Sequence, residues 1–258
     1  MSTIEFQKYQ GTGNDFVMID DRQEVFDLDD HHLVAQLCDR KFGIGADGLI
    51  IVRNHGSADF KMVYYNSDGH LTSLCGNGSR CAVKFAQTLG LVEGPCSFET
   101  SEGILNANIV GELVHIQMPD VHKIETFEDH YFLNTGSPHH ICKVADVEQY
   151  DVYNEGKKIR YGAPYHETGS NVNFMEPKGS SQIFVRTYER GVEDETLSCG
   201  TGVTAAALVQ GLLGESSPIN VQTLGGHLQI SFEKENGGFK NVFLIGPAEK
   251  VFAGSITL

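Results

Sequence analysis

Basic residues are scarce in this chain. Lysine and arginine together number 19 against 34 aspartates and glutamates, so the formal net charge at pH 7 is −15. Nucleic-acid phosphates and anionic membrane surfaces attract clusters of lysine and arginine, which a strongly acidic chain does not offer. We therefore expect neither nucleic acid nor a membrane among the partners of this protein.

Long apolar segments are also missing. No stretch approaches the roughly 20 apolar residues that a membrane-spanning helix needs. The first ten residues, MSTIEFQKYQ, lack the basic start and apolar centre of a secretory signal. The six cysteines are spread over 258 residues without a C-x-x-C pair, which argues against a disulfide scaffold. We expect a cytoplasmic protein with reduced thiols.

Sequence motifs for nucleotides and metals are absent or out of context. GIGADG at 43–48 fits G-x-G-x-x-G, but a dinucleotide site needs a strand before the glycines and a helix after them. Here a helix-like stretch precedes and strand-like residues follow, so a turn is the better interpretation. The pairs His31–His32 and His139–His140 lack the spacing of metal-binding helices. We expect no metal and no cofactor.

Two segments of the chain repeat each other. When the sequence is shifted by 124 residues, LCGNGSRC falls on SCGTGVTA without a gap, so that Cys75 meets Cys199. A long period of this kind indicates a duplicated domain. Each copy predicts a strand, a polar loop, Cys-Gly-x-Gly, a helix closed by glycine, and further strands. The final VFAGSITL could belong to either half.

The repeated cysteines stand where a thiol can be reactive. The first N–H groups of a helix have no partner within the helix, and the helix dipole is positive at that end. Both effects favour a thiolate, and the same N–H groups can hold a carboxylate. The other cysteines, Cys38, Cys81, Cys96 and Cys142, are interpreted as small buried apolar residues.

A pair of such thiols suits the inversion of a stereocentre. If the two halves face each other across a cleft, a substrate carbon between them has one thiol on each side. One cysteine would remove the α-proton as a thiolate while the other donates a proton as a thiol. N–H groups of both helices would stabilise the charge that develops on the carboxylate.

The chain resembles the diaminopimelate epimerases over essentially its whole length. The resemblance rests on motifs in the same order: GTGNDF (11–16), GIGADG (43–48), NSDG (66–69), LCGNGSRC (74–81), GSPHH (136–140), GSNVNF (169–174), TYERG (187–191) and SCGTG (198–202). It implies an α+β fold of two pseudo-symmetric domains, each a curled, mostly antiparallel β-sheet around a central helix, with the active site in the cleft between them. We place these domains at 1–122, which 250–258 would complete, and at 130–249.

The resemblance also implies a reaction and a set of site residues. The reaction is the interconversion of LL- and meso-2,6-diaminopimelate without pyridoxal phosphate, by Cys75 and Cys199. The polar ends of the substrate, a small molecule, would be held by Asn14, Asn66, Asn171 and Arg190. Glu189 would take an amino group and His139 would assist, while the N–H groups of Gly76, Asn77, Gly200 and Thr201 would bind the reacting carboxylate. A homodimer is left open as the assembly.

One motif departs from the family pattern. The family commonly has Gly-Asn-Pro-His where this chain has Gly136-Ser137-Pro138-His139, and a serine offers one hydroxyl where asparagine offers an amide. The departure concerns recognition of the distal end of the substrate rather than the proton transfer. The alternatives are a proline-type racemase of the same fold, a binding scaffold without turnover, and a sensor whose two thiols oxidise to a disulfide.

Overall fold

The computed structural model describes residues 3–72 and 75–257; Leu74, the first letter of LCGNGSRC, lies outside the described residues. By internal contacts the chain divides into a first unit, Met1–Ile116 with Gly246–Leu258, and a second unit, Gln117–Ile245. The domain limits expected from the sequence, 1–122 and 130–249, stay a prediction.

In its described residues, the first unit contains a mixed β-sheet and two helices. In chain order its elements are β1 (Thr3–Gly11), β2 (Asn14–Asp20), α1 (His31–Cys38), β3 (Gly48–Arg53), β4 (Phe60–Asn66), α2 (Gly76–Thr88), β5 (Cys96–Thr100), β6 (Gly103–Val110), β7 (Leu113–Gln117) and the last strand, β17 (Glu249–Thr257). The pairs β2–β3 and β4–β5 are parallel. The other pairs of this unit, β17–β1, β1–β2, β3–β4, β5–β6 and β6–β7, are antiparallel. The segment that the sequence left unassigned thus pairs with β1.

The second unit repeats this arrangement. Its elements are β8 (Glu125–Thr126), β9 (Tyr131–Asn134), β10 (Pro138–Lys143), α3 (Val152–Tyr161), β11 (Asn171–Gly179), β12 (Gln182–Glu189), β13 (Asp194–Thr196), α4 (Gly200–Leu212), β14 (Ile219–Thr223), β15 (Gly226–Glu235) and β16 (Gly238–Pro247). The pairs β10–β11 and β12–β14 are parallel, while β11–β12, β14–β15 and β15–β16 are antiparallel. The same alternation runs from β2 to β7. The fold class predicted from the sequence is therefore confirmed.

One helix occupies the centre of each unit. Helix α2 packs against β1, β2, β3 and β4, and helix α4 packs against β9 to β12, β14 and β15. Nearly every residue of both helices is buried, and α4 carries the small, apolar run Ala205–Ala207. A helix that is apolar on all sides must be enclosed.

A shorter helix covers the outer face of each sheet. Helix α1 buries Val34 and Leu37 against residues of β2 and β3 such as Val17 and Ile51. Those strands are covered on both faces, which explains the continuous apolar run LIIV in β3. Helix α3 packs in the same way against Tyr188 and other residues of β11 and β12. Within the described residues, no helix has the length and apolar character needed to span a membrane.

We expect Gly156→Ala to destabilise the protein. Gly156 lies inside α3, where alanine would ordinarily stabilise a helix by about 1 kcal/mol. Here, however, a Cβ atom would overlap the side chain of Tyr188, at 2.7 Å from its Cγ. Overpacking of this kind costs about 1–3 kcal/mol. The free energy of unfolding, measured in urea, should therefore fall.

Lys157→Ala is the control for this prediction, because Lys157 is exposed on the same helix. Its free energy of unfolding should stay within about 0.5 kcal/mol of wild type. A Gly156→Ala protein as stable as the Lys157→Ala protein would contradict the close packing of α3 on β12.

Candidate active site

Both repeated cysteines lie directly before a buried helix. Cys75 is the N-cap of α2 and Cys199 the N-cap of α4, and the two have nearly the same backbone angles. The backbone N–H of Gly78 donates to Sγ of Cys75 at 3.5 Å. Gly76-Asn77 and Gly200-Thr201 begin these helices, so their N–H groups are the first of each helix and lie at the positive end of its dipole. The position predicted for both thiols is confirmed.

A carboxylate network fixes the side chain of Asn14 beside Cys75. The amide Nδ2 of Asn14 donates to Oδ2 of Asp47 at 2.6 Å, and Oδ1 therefore faces Sγ of Cys75, from which it accepts at 3.5 Å. Arg40 donates to both Asp47 and Asp15 at 2.7 Å. Burial opposes the ionisation of Asp15, but hydrogen bonds from Arg40 and Lys8 hold its pKa well below its usual range. The orientation of Asn14 thus depends on Asp47.

Asn66 and Tyr64 lie on the same side of β4, two residues apart. The hydroxyl of Tyr64 donates to Oδ1 of Asn66 at 3.4 Å. Gly48 pairs with Asn66 across the sheet, and a Cβ atom at Gly48 would lie 2.7 Å from the ring of Tyr64. The last glycine of GIGADG therefore provides room for the tyrosine. The motif forms the turn that leads into β3, whereas a dinucleotide loop would lead into a helix.

Arg80 supports the first turn of α2 from inside the core. Its side chain is fully buried and donates to the carbonyl of Gly76, to Thr12 and to Oδ1 of Asn77, which point away from solvent. It also donates to the carbonyl of Pro247. Burial lowers the pKa of Arg80 to about 10, which leaves the guanidinium charged at neutral pH. The position equivalent to Arg80 in α4 is Thr204.

His139 lies on a strand, although the glycine and proline that precede it are typical of a loop. It is the second residue of β10, fully buried and paired with Asn171 of β11. Burial, and then the positive charge of Arg190, lowers the pKa of His139 to about 3. His139 is therefore a neutral imidazole at physiological pH.

Asn171 and Arg190 are held together near His139. Oδ1 of Asn171 accepts from the backbone N–H of Arg190 at 2.9 Å, and Nδ2 donates to Oγ of Ser137 and to the carbonyl of Pro138, both at 3.1 Å. The guanidinium of Arg190 donates to the carbonyl of Thr168 at 3.1 Å. Asn171 thus fixes the backbone from which the Arg190 side chain extends.

Glu189 ends β12 and is partly buried. Burial raises the pKa of its carboxyl, although a hydrogen bond from Thr196 at 2.8 Å acts in the opposite direction. A cation placed beside a buried carboxyl stabilises its ionised form. Glu189 is therefore suited to an amino group.

The remaining cysteines agree with the interpretation as packing residues. Cys38, Cys81 and Cys96 are buried and Cys142 is half-buried. Burial raises the pKa of Cys38, Cys81 and Cys142 to about 12 and that of Cys96 to about 11. These four thiols are therefore poor nucleophiles at neutral pH. In residues 3–72 and 75–257, no three histidine, cysteine or carboxylate side chains are grouped as metal ligands.

Sequence reasoning missed several residues that support this site. They are Asp47, Tyr64, Arg80, Asn173 and Thr187. Asp47 and Arg80 stand inside the motifs GIGADG and LCGNGSRC, so motif membership was an available signal. Asn173 and Thr187 also lie in quoted motifs, but only the strand pairing β11–β12 brings them opposite each other.

The chain matches the family model of diaminopimelate epimerase over residues 6–124 and 131–251. A diaminopimelate epimerase of Flavobacterium psychrophilum is 48% identical over 256 residues, which cover 98% of this chain and all of that protein. Among solved structures, a phenazine biosynthesis protein of the PhzF family from Bacillus anthracis has a TM-score of 0.77 at 15% identity, with both chains covered completely. A hydroxyproline epimerase from Agrobacterium vitis has a TM-score of 0.69 at 13% identity, covering 99% of this chain and 93% of its own. At these identities the two structures show a common fold alone.

We expect Glu189→Gln to make the protein more stable at neutral pH. Glutamine keeps an oxygen for Thr196 but has no charge to bury. Because the pKa of Glu189 is raised in the folded protein, wild type loses stability as the pH rises from the ordinary value of 4.5 through the raised value. The gain from the substitution should therefore grow over that range and be smallest below pH 4.5.

The measurement is the free energy of unfolding of both proteins as a function of pH. Glu233→Gln, at an exposed position of β15, is the control and should give a difference that hardly changes with pH. A Glu189→Gln difference as flat as that of the control would contradict the burial of this carboxyl.

Proposed function

Because this chain belongs to the diaminopimelate epimerase family, we propose that it interconverts LL- and meso-2,6-diaminopimelate by moving the α-proton between two thiols. The observation that carries the proposal is the equivalent placement of Cys75 and Cys199, each as the N-cap of a buried helix that begins with Gly-x-Gly. The enzyme is thus an isomerase, and its product serves lysine and cell-wall precursor synthesis.

The proposed reaction needs one thiolate and one thiol. The thiolate removes the α-proton from one face of the carbon, and the electron pair of the C–H bond moves toward the carboxylate. The thiol then protonates the other face, so the configuration inverts and the two sulfurs have exchanged protonation states. Cys75 and Cys199 take opposite roles in the two directions. This two-base chemistry asks for no metal and no pyridoxal phosphate.

The first turns of α2 and α4 would bind the reacting carboxylate. The N–H groups of Gly76, Asn77, Gly200 and Thr201 are the donors we propose for it. They would stabilise the negative charge that grows on the carboxylate when the proton leaves, and because they are fixed by buried helices they need no reorganisation. Glu189 would pair with the α-ammonium, whose charge favours the ionised carboxyl.

The distal amino-acid end would be held by polar side chains around Arg190. A guanidinium binds a carboxylate through two parallel hydrogen bonds, and Asn14 and Asn66 would add single ones. Both amide hydrogens of Asn171 bond to protein atoms, so we assign Asn171 a contribution through the Arg190 backbone. His139, being neutral, would assist as a hydrogen-bonding group rather than as an imidazolium acid.

We infer that the enzyme works in the cytoplasm as a homodimer. The mechanism requires both thiols to stay reduced, which a reducing compartment ensures. Val251 and Phe252 are exposed apolar side chains on β17, and a second copy would remove them from water. Sedimentation velocity should give about twice the mass of the 28.3 kDa chain. A monomer at micromolar concentration would contradict the dimer without affecting the reaction.

We expect solvent deuterium to appear at the α-carbon of diaminopimelate during turnover in heavy water. Cys75→Ala and Cys199→Ala should each lower kcat for epimerisation by at least about 100-fold, because a general acid or base of this kind contributes about 100- to 10,000-fold. Proton NMR measures the exchange, and chiral chromatography measures the epimers. Proline, offered as a second substrate, should remain unchanged.

Cys96→Ala is the control, because Cys96 is buried in β5 with a raised pKa. It should keep kcat within about twofold of wild type, and added chelator should change nothing. Near-wild-type turnover by either Cys75→Ala or Cys199→Ala would disprove the two-thiol assignment, and turnover of proline instead of diaminopimelate would favour the proline-type alternative.

A further inference from the structure

Five polar side chains of the second unit form a continuous row that ends at Cys199. The row begins at Asn173, whose amide orientation is fixed. Its Oδ1 accepts from the hydroxyl of Thr187 at 2.9 Å, and its Nδ2 donates to the carbonyl of His140 at 3.2 Å. The same Nδ2 lies 3.1 Å from Nδ1 of His139. Nδ1 must therefore accept, and the neutral imidazole of His139 carries its proton on Nε2.

The next member is Ser137, the residue that departs from the family pattern. Nε2–H of His139 donates to its Oγ at 3.0 Å. Nδ2 of Asn171, whose orientation is fixed by the backbone N–H of Arg190, donates to the same oxygen at 3.1 Å. A hydroxyl oxygen has two lone pairs, and both are occupied. The hydroxyl hydrogen of Ser137 is left for Oγ1 of Thr201, at 3.2 Å.

The direction of the last hydrogen bond follows. Because Oγ1 of Thr201 accepts from Ser137, its own hydrogen is available for another acceptor. Among the described contacts of this hydroxyl, that acceptor is Sγ of Cys199 at 3.5 Å. A hydroxyl that donates to sulfur stabilises the thiolate relative to the thiol.

We propose that Ser137 is a positioning residue, whose hydroxyl turns the Thr201 hydroxyl toward Cys199 and so favours the thiolate at that cysteine. The inference rests on the proposed function, since it concerns one of the two thiols assigned there. This role also gives a function to the serine at the position where the family commonly has asparagine. Its hydroxyl is engaged within the protein, so it acts on Cys199 rather than on the distal end of the substrate.

The packing of α4 supports this role. A Cβ atom at Gly202 would overlap Oδ1 of Asn173, so the second glycine of Gly200-Thr201-Gly202 is what lets Asn173 approach the first turn of the helix. The equivalent glycine in α2, Gly78, instead faces the apolar side chains of Phe16 and Ile50. The row of hydrogen bonds is therefore specific to the second half of the repeat.

Few titratable groups lie along this row. Strand β10 contributes His139, which burial keeps neutral. Strand β12 contributes Glu189 and is followed by Arg190. The first turn of α4 carries no acidic residue, and its last turn carries no basic one. Glu189 and Arg190 remain in every variant proposed below, so a change in Cys199 reactivity would reflect the hydroxyl groups.

The test is the reactivity of Cys199 in the full-length protein without substrate. Iodoacetamide reacts with thiolates, so the rate of alkylation at each cysteine, followed against pH by peptide mass spectrometry, gives the pH midpoint of its ionisation. In Ser137→Ala we expect the midpoint of Cys199 to rise by about one pH unit, which is a tenfold lower rate at neutral pH. The midpoint of Cys75 should stay unchanged.

Three further variants complete the series. Ser137→Thr keeps a hydroxyl and should restore the Cys199 rate to within about threefold of wild type. Ser181→Ala removes a hydroxyl from the turn between β11 and β12 and should change nothing. If Ser137→Ala fails to fold, as judged by circular dichroism and thermal melting, Thr201→Val removes the last donor of the row and should give the same rise.

Steady-state kinetics separates positioning from substrate contact. We expect Ser137→Ala to lower kcat about tenfold with KM nearly unchanged, whereas loss of a substrate contact would raise KM and leave kcat. An unchanged alkylation midpoint at Cys199 in folded Ser137→Ala, or an effect on KM alone, would overturn the proposal. Because alkylation needs no turnover, a wild-type protein that fails to epimerise diaminopimelate would refute the proposed function while the alkylation result still decided the role of Ser137.

Discussion

The structure depends on one constraint: a helix enclosed by strands can offer its unpaired N–H groups only at its ends. In both units the enclosed helix begins with Gly-x-Gly and is capped by a cysteine. Small residues at these positions are required by the packing, since a Cβ atom at Gly78 would crowd Phe16 and one at Gly202 would overlap Asn173. The same closeness that buries the helix therefore brings a thiol, the first N–H groups of the helix and a positive dipole end to one place.

The two halves support equivalent cysteines by different chemistry. Around Cys75 the support is ionic: Asp47 and Arg40 hold Asn14, and the buried Arg80 holds the first turn. Around Cys199 the support is a row of neutral groups, from Asn173 to Thr201. The duplicated segments thus share the cysteine and differ in what surrounds it. In the proposed mechanism the two thiols are in opposite protonation states at any moment, and different surroundings would favour that difference.

The repeat made much of the fold predictable, because a pattern that is weak in one half of the chain becomes informative when it recurs at the same offset in the other half. Both cysteines, both central helices and the turn at GIGADG followed from residue types and spacing. Glycine and proline precede His139 and favour a loop, but pairing of β10 with β9 and β11 makes this residue part of a strand. The roles of Asn173 and Ser137 could not be predicted, because they depend on hydrogen-bond directions that only become fixed when β10, β11 and the start of α4 meet.

The placement of β17 bears on how the polypeptide is assembled. Residues 249–257 pair with residues 3–11, so the sheet of the first unit joins segments far apart along the chain, whereas the second unit is a continuous stretch, Gln117–Ile245. Contacts between distant segments close large loops and form slowly. During synthesis on a ribosome the middle of the chain can therefore complete its sheet first, whereas β1, already paired with β2, must wait for β17 to emerge before it gains its second partner.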